Sequence, residues 1–458
     1  MGHIYCNNKG FIIQVVLLIT SIIAYIVLPT KMDFSMSLYY ATFSISIVSF
    51  FLYFKYKNKS NYFDFDTIFI VVCYLIFYFS PFFYDEPYYL YLFLGYEFDE
   101  SYINSASILA TIGMISYYCG SLYGSESLLQ KERKVSVHKF YSTRFLSLLL
   151  IVLVVLFVIV GGIDAYRFMY ADEGEAGDGI HTYILLLSIV LSIIIITIEI
   201  HKKCILPNYR IKIFPFIVIL GFSLLLLLIG NRTAFSQLVL PVFGLYFMYI
   251  RNINVKKMLL IVLVGIVSMW VIQKTRKNED ISMDGLNIAY ILTDMTIPSR
   301  QTYVAMEYVD KNSITYGKSM SLGLIGVIPK LASFFESSIN ERGSAELLTA
   351  FTYDNLNRNY NKYTGLGTTI IADIYLSFGF LGIIVLMFLF GHFINVQYQK
   401  AYEFNIYSMI IVASLLANSI FLQRASITHF VRYMVWAIGL FYIITKTYEK
   451  NRVLHSKS

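Results

Sequence analysis

Long apolar runs separated by short polar segments dominate the chain. Each run is about long enough to cross a hydrocarbon core of roughly 30 Å as an α-helix. Barrel strands would instead alternate apolar and polar positions over about ten residues. We therefore predict an all-α polytopic membrane protein with about 12 transmembrane helices, at Phe11–Leu28, Leu38–Phe54, Phe65–Phe83, Ser105–Tyr123, Phe145–Gly161, Thr182–Ile200, Ile213–Ile229, Ala234–Ile250, Met258–Ile272, Thr368–Phe390, Ile406–Leu422 and Phe430–Thr445.

One long stretch, Lys274 to Leu366, contains no clean spanning segment. We interpret it as a single large loop between the ninth and tenth transmembrane helices. The predicted organisation is transmembrane helices 1–9 in residues 1–273, the loop in residues 274–366, transmembrane helices 10–12 in residues 367–446, and a cytoplasmic tail in residues 447–458.

The loop itself is predicted to be ordered. Apolar residues recur at helical spacing from Asn287 to Tyr308, which indicates a helix. The apolar stretch Met320–Phe335 is interrupted by Gly323, Gly326 and Pro329. We interpret this second stretch as an interfacial or re-entrant segment and not as a thirteenth transmembrane helix.

Charge sets the predicted orientation. The chain is 57% apolar and 14% charged, and its formal net charge is +7. The basic residues are clustered in alternate loops, which is the pattern of a membrane protein and not that of a nucleic-acid-binding protein. Four basic residues lie in the short loops of the other side: Lys31, Arg167, Arg232 and Arg424. The side of the membrane that carries both termini has twenty-one basic residues, so both termini are predicted to be cytoplasmic and the large loop external. These residues are Lys9, Lys55, Lys57, Lys59, Lys131, Arg133, Lys134, Lys139, Arg144, Lys202, Lys203, Arg210, Lys212, Arg251, Lys256, Lys257, Lys400, Lys446, Lys450, Arg452 and Lys457.

Arginines gather on the predicted external side. Arg232 follows Gly230-Asn231 in a short hairpin, Arg300 lies in the loop, Arg424 precedes the last transmembrane helix and Arg432 lies about one turn inside it. A guanidinium group is always cationic, and its planar fork matches pairs of phosphate oxygens, so such a set suits a lipid diphosphate. The alternatives are an outward-reaching side chain for Arg432 and solvated or acid-paired side chains for the other loop arginines, Arg276, Arg342 and Arg358.

Asp373 and His429 are the candidate acid–base groups. Asp373 lies one turn into the tenth predicted transmembrane helix, with Tyr375 two residues later. The alternative role for Asp373 is a carboxylate that the positive end of the helix dipole favours, and His429 could be a structural residue at the interface. Asp354 is a further candidate base, together with three other loop carboxylates: Glu336, Glu341 and Glu346.

Motifs for metal or cofactor chemistry are missing from the sequence. Neither a phosphate-cradling glycine loop nor a serine elbow occurs, and the four cysteines lack the spacing of metal ligands: Cys6, Cys73, Cys119 and Cys204. We predict no metal site, no cofactor and no disulfide.

Several short motifs resemble, in their order, those of the bacterial O-antigen polymerases, the Wzy-type membrane proteins that polymerise polysaccharide repeat units. The matching segments are a Gly-Asn-Arg hairpin at Gly230–Arg232, Tyr-Gly-Lys-Ser running to Ile-Pro-Lys at Tyr316–Lys330, Gly-x-Gly-x-x-x-x-Ala-Asp-x-Tyr-x-x-Phe-Gly-x-x-Gly at Gly365–Gly382, and Arg-x-Ser at Arg424–Ser426. The resemblance extends over roughly Phe65 to Tyr442. The resemblance implies that relatives more often carry a glutamate where this chain has Asp373.

The resemblance implies an enzyme that joins undecaprenyl-diphosphate-linked oligosaccharides at the periplasmic face of a bacterial inner membrane, where a chain-length regulator is an expected protein partner. It implies diphosphate binding by Arg232, Arg300, Arg424 and Arg432, and catalysis by Asp373, His429 or Asp354. Aromatic side chains would hold sugar rings, with Tyr375 and Tyr353 as the main candidates and Tyr84, Tyr88, Tyr89 and Tyr91 as further ones.

Two other functions remain open from the sequence. An O-antigen ligase would use the same donor and transfer it to the lipopolysaccharide core. A lipid-linked oligosaccharide flippase would also have many transmembrane helices, but we would expect charges deep within them and short loops throughout. The first half of the chain does not recur in the second half, so an inverted-repeat transporter is not supported.

Overall fold

The computed structural model describes residues 8–59, 61–83, 98–124, 142–168, 179–206, 208–254, 256–258, 260, 296–328, 343–355 and 366–455. Every regular element in these ranges is helical. The α-helices are α1 Asn8–Val27, α2 Met36–Lys57, α3 Phe65–Tyr78, α4 Ile103–Leu122, α5 Thr143–Ile159, α6 Gly162–Phe168, α7 Ile180–Ile205, α8 Ile213–Leu228, α9 Arg232–Tyr249, α10 Arg300–Asn312, α11 Lys318–Ile325, α12 Ser344–Asn355, α13 Ile370–Tyr402, α14 Ile406–Asn418 and α15 His429–His455.

The apolar runs of the sequence form helices, so the all-α prediction is confirmed. Each predicted transmembrane segment overlaps one of these helices except the ninth, Met258–Ile272, most of which lies outside the described residues. The number of about 12 transmembrane helices and the placement of the loop remain predictions. Among the described residues, five segments are suited by length and composition to crossing a membrane: Lys9–Val27, Met36–Lys57, Glu100–Leu122, Ile180–Ile205 and Ile370–Tyr402.

The centre of the bundle is the pair α4 and α13. All residues of α4 are buried, and its glycines allow the backbones of the two helices to touch. A Cβ atom on Gly120 would collide with the carbonyl oxygen of Phe388, and one on Gly391 would collide with that of Tyr117. Small residues at such crossings are typical of membrane helices, which associate mainly through close packing. This contact fixes the position of α13, the helix that carries Asp373.

A group of four charged residues, which we call the lysine–aspartate cluster (Lys57, Lys59, Asp64 and Asp66), is buried where α2 turns into α3. The Lys59 Nζ lies 2.8 Å from Asp64 Oδ2 and 3.2 Å from Asp66 Oδ2. The Lys57 Nζ donates to Asn395 Oδ1 of α13 at 2.8 Å. Burial opposes the positive charge of Lys59, but the two carboxylates outweigh it and raise the pKa of this lysine.

Helix α13 is not continuous. Gly379 has φ 66° and ψ −159°, a conformation that requires a residue without Cβ, and it divides the helix into two segments. The carbonyls left free at this break, those of Leu376 and Ser377, accept hydrogen bonds from the backbone N–H groups of Thr315 (2.9 Å) and Gly317 (3.0 Å). The predicted transmembrane segment Thr368–Phe390 therefore contains a break, and the chain after α10 supplies hydrogen bonds that the helix loses there.

The described parts of the predicted loop cover one end of the bundle. Helices α10 and α12 pack against the first segment of α13, and α11 packs against α13 and α15. Residues 287–295 of the helix predicted over Asn287–Tyr308 lie outside the described residues, and the described part of that segment contains a 3-10 turn at Ile297–Ser299 followed by α10 from Arg300. The loop helices therefore surround the start of α13.

Candidate functional site

The carboxyl group of Asp373 lies in the first turn of α13 and is fully buried. Thr369 caps this helix, because its hydroxyl oxygen accepts from the backbone N–H of Ala372 at 3.0 Å. The backbone N–H of Asp373 donates to the carbonyl of Thr369 at 2.8 Å. The sequence Thr-Thr-Ile-Ile-Ala-Asp thus starts a helix and places an acidic side chain where the helix dipole favours it.

The chain before α15 holds one oxygen of this carboxylate. Asp373 Oδ2 accepts from the Ser426 hydroxyl at 2.8 Å and from the backbone N–H of Ile427 at 3.0 Å. Among the described residues, Oδ1 has no hydrogen bond of normal geometry, although the Ser344 hydroxyl at the start of α12 interacts with the carboxylate. The two motifs that contain Asp373 and Ser426 are therefore in direct contact.

Ser426 is itself held by its neighbours. Its Oγ lies 2.8 Å from Thr428 Oγ1 and accepts from the backbone N–H of Thr428 at 3.2 Å. Helix α11 comes so close that a Cβ atom on Gly323 would collide with Thr428 Oγ1. The indole N–H of Trp436 donates to the carbonyl of Val327 at 2.8 Å and ties α15 to the chain after α11.

Buried polar residues of the loop adjoin the start of α13. Arg300 is only 1% exposed, and the hydroxyl oxygens of Thr302 and Thr369 lie 3.0 Å apart. The amide groups of Gln301 and Gln423 are buried and form no hydrogen bond among the described residues. A buried amide without a partner is costly, so both amides are suited to binding a polar ligand or water.

Sequence reasoning missed these two glutamines. Each is adjacent to an arginine that the sequence did single out, Arg300 or Arg424. That adjacency was the available signal, but only tertiary packing makes the two amides buried and unpaired.

His429 and Arg432 lie on the first two turns of α15. The His429 ring packs against Phe421 at 4.6 Å and Tyr433 at 5.5 Å, measured between ring centroids, and its Nε2 is buried without a hydrogen bond among the described residues. The Arg432 guanidinium lies 5.8 Å from the centre of the Tyr183 ring. Both side chains follow the Ser426 segment within two turns of helix, so they lie at the same end of the bundle as Asp373.

Arg232 is the first residue of α9. Gly230 has φ 89°, which explains the glycine of the hairpin, and the Asn231 side chain caps α9 by accepting from Ala234 at 3.0 Å. Gln237 of the same helix donates to Asn418 at the end of α14, also at 3.0 Å. Since Asn418 shortly precedes the Arg424–Ser426 segment, Arg232 lies at the same end of the bundle.

The structure does not bring every predicted site residue together. The Tyr375 side chain interacts with Tyr25 of α1, away from the Ser426 segment. Tyr353 is buried and Asp354 is exposed at the far end of α12. At ~1.5 Å per residue, that end lies about 15 Å along the helix from the Ser344 hydroxyl.

Arg424 is exposed, while its backbone adjoins the site. A Cβ atom on Gly367 would lie 3.2 Å from the Arg424 carbonyl oxygen, and Gly367 has φ 75°. This close approach accounts for the second glycine of the Gly-Leu-Gly motif.

Comparison with known proteins gives one family. The sequence model of the family described as O-antigen polysaccharide polymerase Wzy matches residues 10–451, nearly the whole chain. None of the curated proteins and none of the solved structures matches it.

Proposed function

Since the chain belongs to the Wzy family of O-antigen polysaccharide polymerases, we propose that it joins undecaprenyl-diphosphate-linked oligosaccharide repeat units at the periplasmic face of the inner membrane and releases undecaprenyl diphosphate. Family membership and the apolar helices identify a multi-pass membrane protein of polysaccharide polymerisation. The observation that carries the finer proposal is the Asp373 carboxylate, with one oxygen held by Ser426 and Ile427 and the other without a hydrogen bond among the described residues.

Asp373 would act as the general base. A hydroxyl of the incoming unit gives its proton to Asp373 Oδ1 while its oxygen forms a bond to the anomeric carbon of the growing chain. The bond from that carbon to the diphosphate oxygen breaks, and its electron pair leaves with undecaprenyl diphosphate. Asp373, now neutral, returns its proton to water before the next cycle.

Cationic groups would stabilise the departing diphosphate, which gains a negative charge as it leaves. Arg424 is exposed and lies two residues before Ser426 in the sequence, which supports a role near Asp373. Arg232, Arg300 and Arg432 lie at the same end of the bundle and would complete the set. His429, next to Arg432, remains a second candidate for proton transfer.

The family favours a polymerase over the two alternatives. An O-antigen ligase would share the donor and differ in the acceptor, and a flippase would need neither a base nor a site for a leaving group. We also expect a separate chain-length regulator to act with this protein. Tyr353 and Tyr375 remain proposed sugar contacts, although neither touches Asp373 in the described contacts.

Purified protein given only lipid-diphosphate-linked repeat units provides the direct test. We expect a ladder of lipid-linked oligomers and one undecaprenyl diphosphate released for each new linkage, both measured by mass spectrometry. A ligase would release diphosphate only when lipopolysaccharide core is added, and a flippase would release none. Absence of oligomers from folded protein would contradict the proposal.

The orientation can be tested separately with single cysteines on a background that lacks the four native ones. Ser313, which directly follows α10, should react with a membrane-impermeant maleimide when the outer membrane is made permeable, because we place the loop in the periplasm. Ser136 lies in a basic loop outside the described residues and should react only after the inner membrane is lysed. Labelling of both before lysis would contradict the proposed topology.

A further inference from the structure

The two oxygens of the Asp373 carboxylate have different surroundings. Oδ2 accepts two hydrogen bonds, from the Ser426 hydroxyl and the Ile427 backbone, and Oδ1 accepts none of normal geometry among the described residues. A carboxylate that is held through one oxygen presents the other in a fixed direction. This asymmetry is what a base needs if it is to remove a proton from one particular hydroxyl.

We propose that Ser426 is a positioning residue for Asp373. Together with the Ile427 backbone it fixes Oδ2, so that Oδ1 is the oxygen that takes the proton of the attacking sugar hydroxyl. The inference rests on the proposed function and gives the serine of the Arg-x-Ser motif a role distinct from that of the arginine.

The direction of the hydrogen bonds supports this role. A serine hydroxyl has one proton, and Ser426 uses it for Asp373 Oδ2. Its lone pairs are then available as acceptors. The Thr428 backbone N–H donates to one of them at 3.2 Å, and the Thr428 hydroxyl, 2.8 Å away, must be the donor in the second contact. The two hydrogen bonds from Thr428 therefore orient the Ser426 hydroxyl toward Asp373.

Helix α11 supports the other end of this chain of contacts. A Cβ atom at position 323 would collide with the Thr428 hydroxyl, so the glycine is what allows α11 to approach this threonine closely. The order of contacts is α11, Thr428, Ser426 and then Asp373. A loop helix is thereby connected to the proposed base through two hydroxyl groups.

The test uses purified full-length protein in the oligomer assay. Ser426→Ala should lower kcat by about 10- to 100-fold, the range expected for the loss of one hydrogen bond to a charged group. KM for the lipid-linked units and Tm should stay near the wild-type values, because the serine would touch no substrate. Ser426→Thr retains the hydroxyl and should restore most of kcat. Ser321→Ala, which removes an exposed serine of α11, is the matched control.

A second variant covers the case in which Ser426→Ala fails to fold. Thr428→Val removes only the hydroxyl that orients Ser426, and it should lower kcat by a smaller factor with KM unchanged. The proposal is overturned if Ser426→Ala or Thr428→Val retains wild-type kcat. It is also overturned if Ser426→Thr is as slow as Ser426→Ala, or if either loss appears in KM.

Failure of the positioning role is distinguishable from failure of the proposed function. If Asp373→Asn is inactive and Ser426→Ala is fully active, only the role of Ser426 is wrong. If Asp373→Asn is active, the proposed base itself is wrong.

Discussion

Lipopolysaccharide from a strain whose only copy of the gene carries Asp373→Asn is expected to end at core plus one repeat unit. Asparagine keeps the shape of the side chain, and its amide oxygen can still accept from Ser426 and Ile427, so the fold should be retained. The amide cannot take a proton, and general-base catalysis typically contributes ~10²- to 10⁴-fold. The readout is the lipopolysaccharide ladder on a gel, with the protein level measured by immunoblot.

Asp164→Asn is the control, because Asp164 is exposed on α6 and makes none of the contacts described for Asp373. It should give normal chains. If Asp373→Asn still produces long chains, the carboxylate only stabilises the start of α13. The base must then be sought among the loop acids, with Asp354 next.

Lys59→Met is expected to reduce the folded fraction more than other single lysine replacements. It leaves the carboxylates of Asp64 and Asp66 buried with their nearest cation removed, and such a change costs about 3–5 kcal/mol. Thermal melting of detergent-solubilised protein, followed by size-exclusion chromatography, measures the loss. Because the pKa of Lys59 is raised, its stabilising charge persists through neutral pH and is lost only as pH rises above the usual lysine range.

Lys31→Met is the matched control. Lys31 lies 3.7 Å from Asp99, and the two side chains are 50% and 37% exposed. A solvent-exposed pair of this kind contributes ~0–1 kcal/mol. Equal destabilisation by the two variants would show that burial does not determine how much the lysine–aspartate cluster contributes to the free energy of unfolding.

The apolar runs predicted most helices because a helix in a membrane needs a continuous apolar segment, and this requirement is local. The approach of Asp373 to the Arg424–Ser426 segment was also foreseeable. Each motif stands at the predicted external end of a transmembrane helix, so the two should lie at the same depth. The break at Gly379 was not foreseeable. It depends on hydrogen bonds from Thr315 and Gly317, far away in sequence, and one glycine in an apolar run does not reveal them.

Burial of polar residues was the other part that the sequence could not show. The positive-inside rule counts Lys57 and Lys59 as cytoplasmic cations, yet both side chains are buried. Lys57 donates to Asn395 of α13, and Lys59 pairs with Asp64. Gln301 and Gln423 looked like ordinary loop residues. In each case the decisive neighbour belongs to another element, so no local pattern contains the information.

The bond from Lys57 to Asn395 also sets an order of events during synthesis. The two residues are 338 positions apart, so α2 has left the ribosome long before its partner on α13 exists. At typical translation rates this interval is on the order of tens of seconds. Before then the Lys57 ammonium group can donate to the carbonyl and hydroxyl oxygens of Ser121 on α4, each at 2.8 Å, but its third acceptor is missing. The end of α2 therefore completes its packing only when the last third of the polypeptide has been inserted.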